Sequence, residues 1–203
     1  MTDVDTQIDP ETRRDRRRLV AMAGMLLVTL LVAVGYGRMV DRNAERLLTE
    51  NYLGVGDFTV RLPAGWTVAE KSQDSLTVAS PDQQTDLRIT SFRVESNATA
   101  LDLLRQAAQI QTSLGDVDVE IEILEPPRST LVADEEGVVA TFGYTVSQSW
   151  LGSLRGGDIL LFRTIVAGLV DGRAVIVLID RPLEYDAGDE KLARAVARYA
   201  VLQ

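Results

Sequence analysis

The side chains able to do acid–base or nucleophilic chemistry are few in this chain. Histidine and cysteine are absent, which removes histidine triads, thiolate nucleophiles, zinc fingers and disulfide scaffolds together. Lys71 and Lys191 are the only lysines, and neither stands in a serine–lysine pattern that would make it the base for a hydroxyl nucleophile. What remains is carboxylate. The densest set is Asp116, Asp118, Glu120 and Glu122, at every second position, and hard oxygen ligands of that kind can hold calcium or magnesium. Side chains two apart on one strand project in parallel and enclose no ion, and no EF-hand loop accompanies them, so the ladder is read as a solvated strand face. Gly152, Gly156 and Gly157 lack the lysine–serine pair of a phosphate cradle and are read as turn residues, while Asn97, Ala98 and Thr99 spell a glycosylation sequon. The expectation is a protein that is no enzyme and carries no cofactor or metal.

The other candidates are contact residues. Trp66 and Trp150 are the only tryptophans. Trp66 follows a turn beside an apolar strand and is assigned to the core. Trp150 lies in the loop-like SQSWLGSLRGGD, where Leu151, Leu154 and Arg155 would complete an exposed patch for a protein partner. With 21 basic against 30 acidic residues the chain has a net charge of -9, so a phosphate backbone is repelled and nucleic acid is not expected as a partner.

Residues 19–36 contain no charge and as a helix span about 27 Å, close to the hydrocarbon thickness of a bilayer. Leu19, Leu26, Leu27, Leu30, Leu31 and Tyr36 are the anchor residues of this predicted transmembrane helix. Arg13, Arg14, Arg16, Arg17 and Arg18 crowd its N-terminal side, whereas Arg38, Arg42 and Arg46 follow more sparsely. The positive-inside rule then keeps the N-terminus in the cytoplasm and sends the rest outside the cell membrane. A cleaved signal peptide ending near Ala33 and Gly35 is the rival reading. It fits less well, because residues 1–18 are long for an n-region and carry five acids beside their five arginines. Those charges cancel, so the external part is the acidic one. The tail of residues 1–18 has little to bury and is expected to be disordered. Residues 37–54 place Val40, Ala44, Leu47 and Leu48 near one helical face before Gly54, which predicts a helical stalk and admits a dimer through it.

Residues 55–203 make one domain of ordinary size. Phe58, Val60 and Leu62 alternate with polar residues, as do Leu76 with Val78 and Leu87 with Ile89, which predicts three short antiparallel strands. The period then changes. Leu103, Leu104, Ala107, Ala108, Ile110 and Leu114 recur at helical spacing after a Thr99–Asp102 capping pair. Val117, Val119, Ile121 and Ile123 alternate with the acidic ladder and are expected to face inward. After an Asp134–Gly137 turn, Ala140, Phe142, Tyr144 and Val146 mark a long strand. Two nearly continuous apolar runs, 158–170 and 173–180, are joined by Asp171 and Gly172, a two-residue hairpin signal between central strands covered on both faces. Leu192, Val196 and Tyr199 share one stripe of a closing helix. The predicted class is α+β, an antiparallel sheet packed by helices.

The turn of Leu62, Pro63, Ala64, Gly65 and Trp66, the mid-chain helix, and the last hairpin running through Arg181 and Pro182 into a C-terminal helix together resemble the PsbP-like superfamily. That family includes the extrinsic oxygen-evolving subunit of photosystem II, a eukaryotic Ran-binding import factor and membrane-anchored bacterial relatives of unknown role. Over residues 55–203 the resemblance implies an α/β/α sandwich with a binding or assembly role and no catalysis. The residues by which photosynthetic members join their complex are not recognisable here. The functional expectation is a single-pass membrane protein whose acidic external domain binds an envelope protein as an accessory or assembly factor. The alternative is a carrier or sensor of a small ligand or lipid at the bilayer surface.

Overall fold

The computed structural model describes residues 45–94, 97–109, 118–147 and 159–203. The predicted tail, transmembrane span and first part of the stalk lie outside them. Among the described residues no helix is long and apolar enough to cross a membrane.

After a helical Glu45 and a turn at Arg46 and Leu47, the chain enters a strand where a helix was expected to continue. Leu48–Val55 is strand β1, paired antiparallel with β2 (Phe58–Pro63) in the register Val55 to Phe58. The two-residue turn between them uses Gly56 at φ +59°. The helical spacing of Leu47 and Leu48 loses to this hairpin, because a short amphipathic helix has little stability of its own whereas β1 buries Leu48 and Val55. The stalk reading of residues 37–54 is therefore corrected from Leu48 onward, and the compact unit starts at Ala44. Arg61 fastens this entry: its Nε donates to the Thr49 carbonyl at 2.7 Å, its Nη1 to Glu45 at 3.2 Å, and its guanidinium lies 5.9 Å from the Tyr52 ring and 5.7 Å from the Tyr199 ring.

At Pro63–Trp66 the chain changes sheets. Gly65 has φ +81°, a left-handed value that suits glycine, and Trp66 packs half-buried against the core beyond it. The strands β3 (Thr67–Lys71), β4 (Ser75–Ala79), β5 (Asp86–Arg93), β6 (Asp118–Val132), β7 (Glu135–Ser147), β8 (Ile159–Val170) and β9 (Arg173–Pro182) form a seven-stranded antiparallel sheet. Its order is β3-β4-β5-β9-β8-β7-β6, and β10 (Val201–Leu202) joins β1 and β2 in a separate three-stranded sheet. The three strands expected before the mid-chain helix are thus divided between two sheets. β8 and β9 are joined through Asp171 and Gly172 at φ +49° and +74°, as the hairpin signal requires. The β6–β7 turn falls at Ala133 and Asp134, slightly earlier than the Asp134–Gly137 turn expected from the sequence.

Alternation along β9 divides the core. Val175, Val177 and Ile179 pack with α2 (Ala187–Arg198) and the small sheet, whereas Ala174, Ile176 and Leu178 pack with α1 (Ala100–Gln109). Both faces of the central strands are covered, as their apolar runs predict. The layers are α1, the large sheet, and α2 beside the small sheet, so one outer layer is part helix and part strand.

The helix ends follow their caps. Asp102 Oδ2 accepts from the Thr99 hydroxyl at 2.6 Å and from its N–H at 3.2 Å, while the Asp102 N–H donates to Thr99 Oγ1 at 3.2 Å. These bonds hold the Asp102 carboxyl below the usual carboxylate range. Thr99→Ala removes the reciprocal cap and is expected to cost about 1 kcal/mol, measured as a lower urea midpoint at unchanged m-value. Asp186 caps α2 by accepting from the Gly188 N–H at 2.7 Å. Arg181 ties the same end to β9 through two bonds to Asp189, at 2.7 and 2.8 Å.

Candidate functional site

The end of the large sheet where β7 runs into the connection with β8 gathers the features least explained by packing. Cross-strand register aligns Ile121, Tyr144, Leu161 and Pro182, and beside them Ile123, Phe142, Arg163, Asp180 and Asp86. Arg163 and Asp180 form a bidentate pair, Nε to Oδ1 and Nη2 to Oδ2, both at 2.5 Å. The Arg163 side chain is 3% exposed and that of Asp180 23%. The pair sits on the α1 side of the sheet, beside the buried Phe142 and Tyr144. Arg163 also lies 5.8 Å from the Tyr144 ring, whose hydroxyl donates to the Ala108 carbonyl at 3.1 Å. That bond ties the end of α1 to β7.

Burial is the main reason that the Tyr144 phenol is pushed up to about 12; Arg163 opposes the shift and Asp180 adds to it. A tyrosine that stays neutral when folded but ionises at its ordinary value when unfolded makes the unfolded state shed its proton first. Stability is therefore expected to be intact below pH 10 and to fall as pH rises toward about 12. Denaturant midpoints across that range test it. In Tyr144→Phe the alkaline loss should shrink, whatever the variant's stability at neutral pH.

Sequence reasoning passed over this pair, although a signal was present. Arg163 interrupts one apolar run and Asp180 ends the next. The Asp171–Gly172 turn pairs Val170 with Arg173, and counting outward through seven more pairs sets Arg163 opposite Asp180.

The isoleucines of β6 depart from expectation. Ile121 and Ile123 are paired with Tyr144 and Phe142, so they share the α1 face as their alternation predicts. They are nevertheless 37% and 59% exposed. The reason is reach: among the described residues α1 packs chiefly on β7, β8 and β9. Glu122, between them, is exposed as expected. Asp116, Val117 and the contact residues Trp150, Leu151, Leu154 and Arg155 lie outside the described residues, as do the anchor and topology residues. Leu183, just past β9, is 75% exposed and held at φ +68°, an uncommon value for a leucine. Nearby, Tyr185 stacks obliquely on Phe162 with ring centroids 6.0 Å apart.

At the opposite end of the strand order, the α1 face is bare and polar. Glu70, Ser72, Ser75, Thr77, Arg88 and Thr90 line an open depression of about 350 Å³ across β3, β4 and β5. Lys71 and Lys191 are exposed on β3 and α2. Among the described residues no group of three or more acidic side chains converges as a metal site would require.

No family model matches the chain, and no curated protein matches it. Solved structures do. The Ran-binding protein Mog1p of Saccharomyces cerevisiae is similar at 10% identity and a TM-score of 0.49, over 76% of this chain and 96% of that one. Cyanobacterial PsbP from Synechocystis is similar at 16% identity and a TM-score of 0.45, over 72% of this chain and 87% of that one. These likenesses concern the course of the chain and nothing finer. The fold is α+β, as the order of strands and helices predicts.

Proposed function

We infer that this chain is a protein-binding domain of the cell envelope, carried by the apolar segment 19–36 with its N-terminus in the cytoplasm, and acting as an accessory or assembly factor of a membrane complex. The observation that favours this reading is the apolar side chains left in water at one end of the sheet. Ile121, Ile123 and Leu183 are exposed there, whereas the two cores behind them are closed. Exposed apolar groups gathered at one place mark contact surfaces more often than scattered ones do. The charge of -9 adds a preference for a basic partner.

The test is crosslinking in the native cells, purification of the full chain in mild detergent, and mass spectrometry of what co-elutes. One dominant membrane protein, lost when Leu183→Asp and Ile123→Lys are introduced together, is the expected outcome. A chain that elutes alone would end this reading. A second reading, binding of a small solute, is favoured by the depression on β3, β4 and β5. Its polar, open lining suits a water-soluble ligand better than a lipid, and native mass spectrometry of the purified chain would detect one.

A further inference from the structure

The two edges of the large sheet, β3 and β6, are built differently. β3 has five residues, a register shift between Val68 and Glu70, and Lys71 at its end. Shortness, irregularity and a lysine are the devices that keep an edge from recruiting another strand. β6 is fifteen residues long, and its second half carries Pro126 and Pro127 with register shifts from Ile123 to Arg128. Proline lacks the N–H that a ladder needs, so that half is blunted as well. The first half is not. From Asp118 to Ile123 it runs in unbroken register with Ser147 to Phe142, with no proline and no bulge. Among the described residues its only strand partner is β7. Alternate N–H and C=O groups of an edge strand point outward, ready for a further strand.

The side chains say what such a strand would be. On the α1 face, Ile121 and Ile123 offer exposed apolar surface. At the alternate register positions stand Asp118, Glu120 and Glu122, acidic without exception. A second copy of this chain pairing along the same edge would bring carboxylates beside carboxylates, which is destabilising. An incoming strand with basic residues at those positions and β-branched apolar residues between them gains both kinds of cross-strand pair.

We propose that Asp118–Ile123 of β6 is a strand-addition site for an extended segment of a partner protein in which lysine or arginine alternates with β-branched apolar residues. Backbone pairing supplies the binding, and the alternation supplies register and selectivity. This rests on the partner-binding reading and names the chemistry of the partner.

The probes are synthetic peptides of about ten residues: alternating Lys and Val, the same composition as a Lys block followed by a Val block, and alternating Glu and Val. Each is titrated against the full chain in a non-ionic detergent, with binding read by fluorescence anisotropy and amide exchange by mass spectrometry. The alternating Lys–Val peptide should bind saturably and slow exchange within residues 118–123. The block peptide should bind about tenfold more weakly, a difference of about 1.4 kcal/mol, and the Glu–Val peptide not at all. Ile123→Lys, at a side chain already largely in water, should weaken the alternating peptide by about tenfold with an unchanged melting temperature. Equal binding of block and alternating peptides, or protection elsewhere than 118–123, overturns the proposal. The cell crosslinking separates the two levels. A partner lost in Leu183→Asp but kept in Ile123→Lys defeats strand addition and leaves the partner reading standing. Register-selective peptide binding by a chain that captures no partner does the reverse.

Discussion

Asp180→Ala should destabilise the domain by about 3 kcal/mol, at the lower end of the cost of breaking a buried ion pair. The loss comes from what is left behind. Arg163 is 3% exposed on a central strand, and without its carboxylate the guanidinium has no partner to replace the water it gave up. Arg163→Met should cost less, because Asp180 is 23% exposed and can be solvated once released. This asymmetry distinguishes desolvation from a simple loss of attraction, which would be equal for either deletion. The paired replacement Arg163→Met with Asp180→Leu removes both charges and should return the stability to wild type or raise it by about 1–4 kcal/mol. Chemical denaturation of all four proteins tests the three expectations together. A single-deletion cost below about 1 kcal/mol for Asp180→Ala would mean that the pair behaves as a surface salt bridge.

Gly168→Ala should cost about 2–3 kcal/mol, from overpacking alone. Gly168 lies opposite Gly137 in the β7–β8 ladder, and together they form a notch that receives the fully buried Val132 near the end of β6. A Cβ placed on Gly168 would stand 2.6 Å from the Val132 Cβ and within 2.9 Å of both its methyls. The obstructing atom is the root of a β-branched side chain, with no rotamer that clears it, so β6 must move away from β8. Val132→Ala alone should cost about 2 kcal/mol by opening a cavity. The double variant removes both Val132 methyls but leaves the 2.6 Å contact between the two Cβ atoms, so it should recover part of the overpacking loss and be more stable than the sum of the two losses. Additive losses in urea unfolding would show that Val132 does not sit where the steric reasoning requires. Neither glycine needs a positive φ; Val132 excludes a Cβ at Gly168, and Val132 together with the Ala167 carbonyl excludes one at Gly137.

Much of the architecture was legible because it is written locally. The capping pair Thr99–Asp102, the helical spacing of Leu103, Leu104, Ala107 and Ala108, and the Asp171–Gly172 turn each involve residues within a few positions of one another. The apolar runs of β8 and β9 announced central strands for the same reason. Arg163 and Asp180 were legible too, through the turn that sets their register, although a lone charge in an apolar run reads at first as an interruption. The α+β class followed from those elements together.

Local pattern settled the two described helices α1 and α2, the Asp171–Gly172 turn, the face on which Ile121 and Ile123 lie, the absence of histidine and cysteine, and the acidic balance. Tertiary structure decided that Leu48–Val55 is a strand, since a hairpin with β2 and burial of Leu48 and Val55 outweigh a marginal helix. It also decided that Phe58–Pro63 leaves the large sheet for the small one, and that Ile121 and Ile123 remain in water. Periodicity assigns a side chain to a face. Whether anything covers that face depends on where α1 comes to rest, and among the described residues α1 packs on β7, β8 and β9. That placement is set by contacts between residues far apart in the chain, which no local pattern encodes.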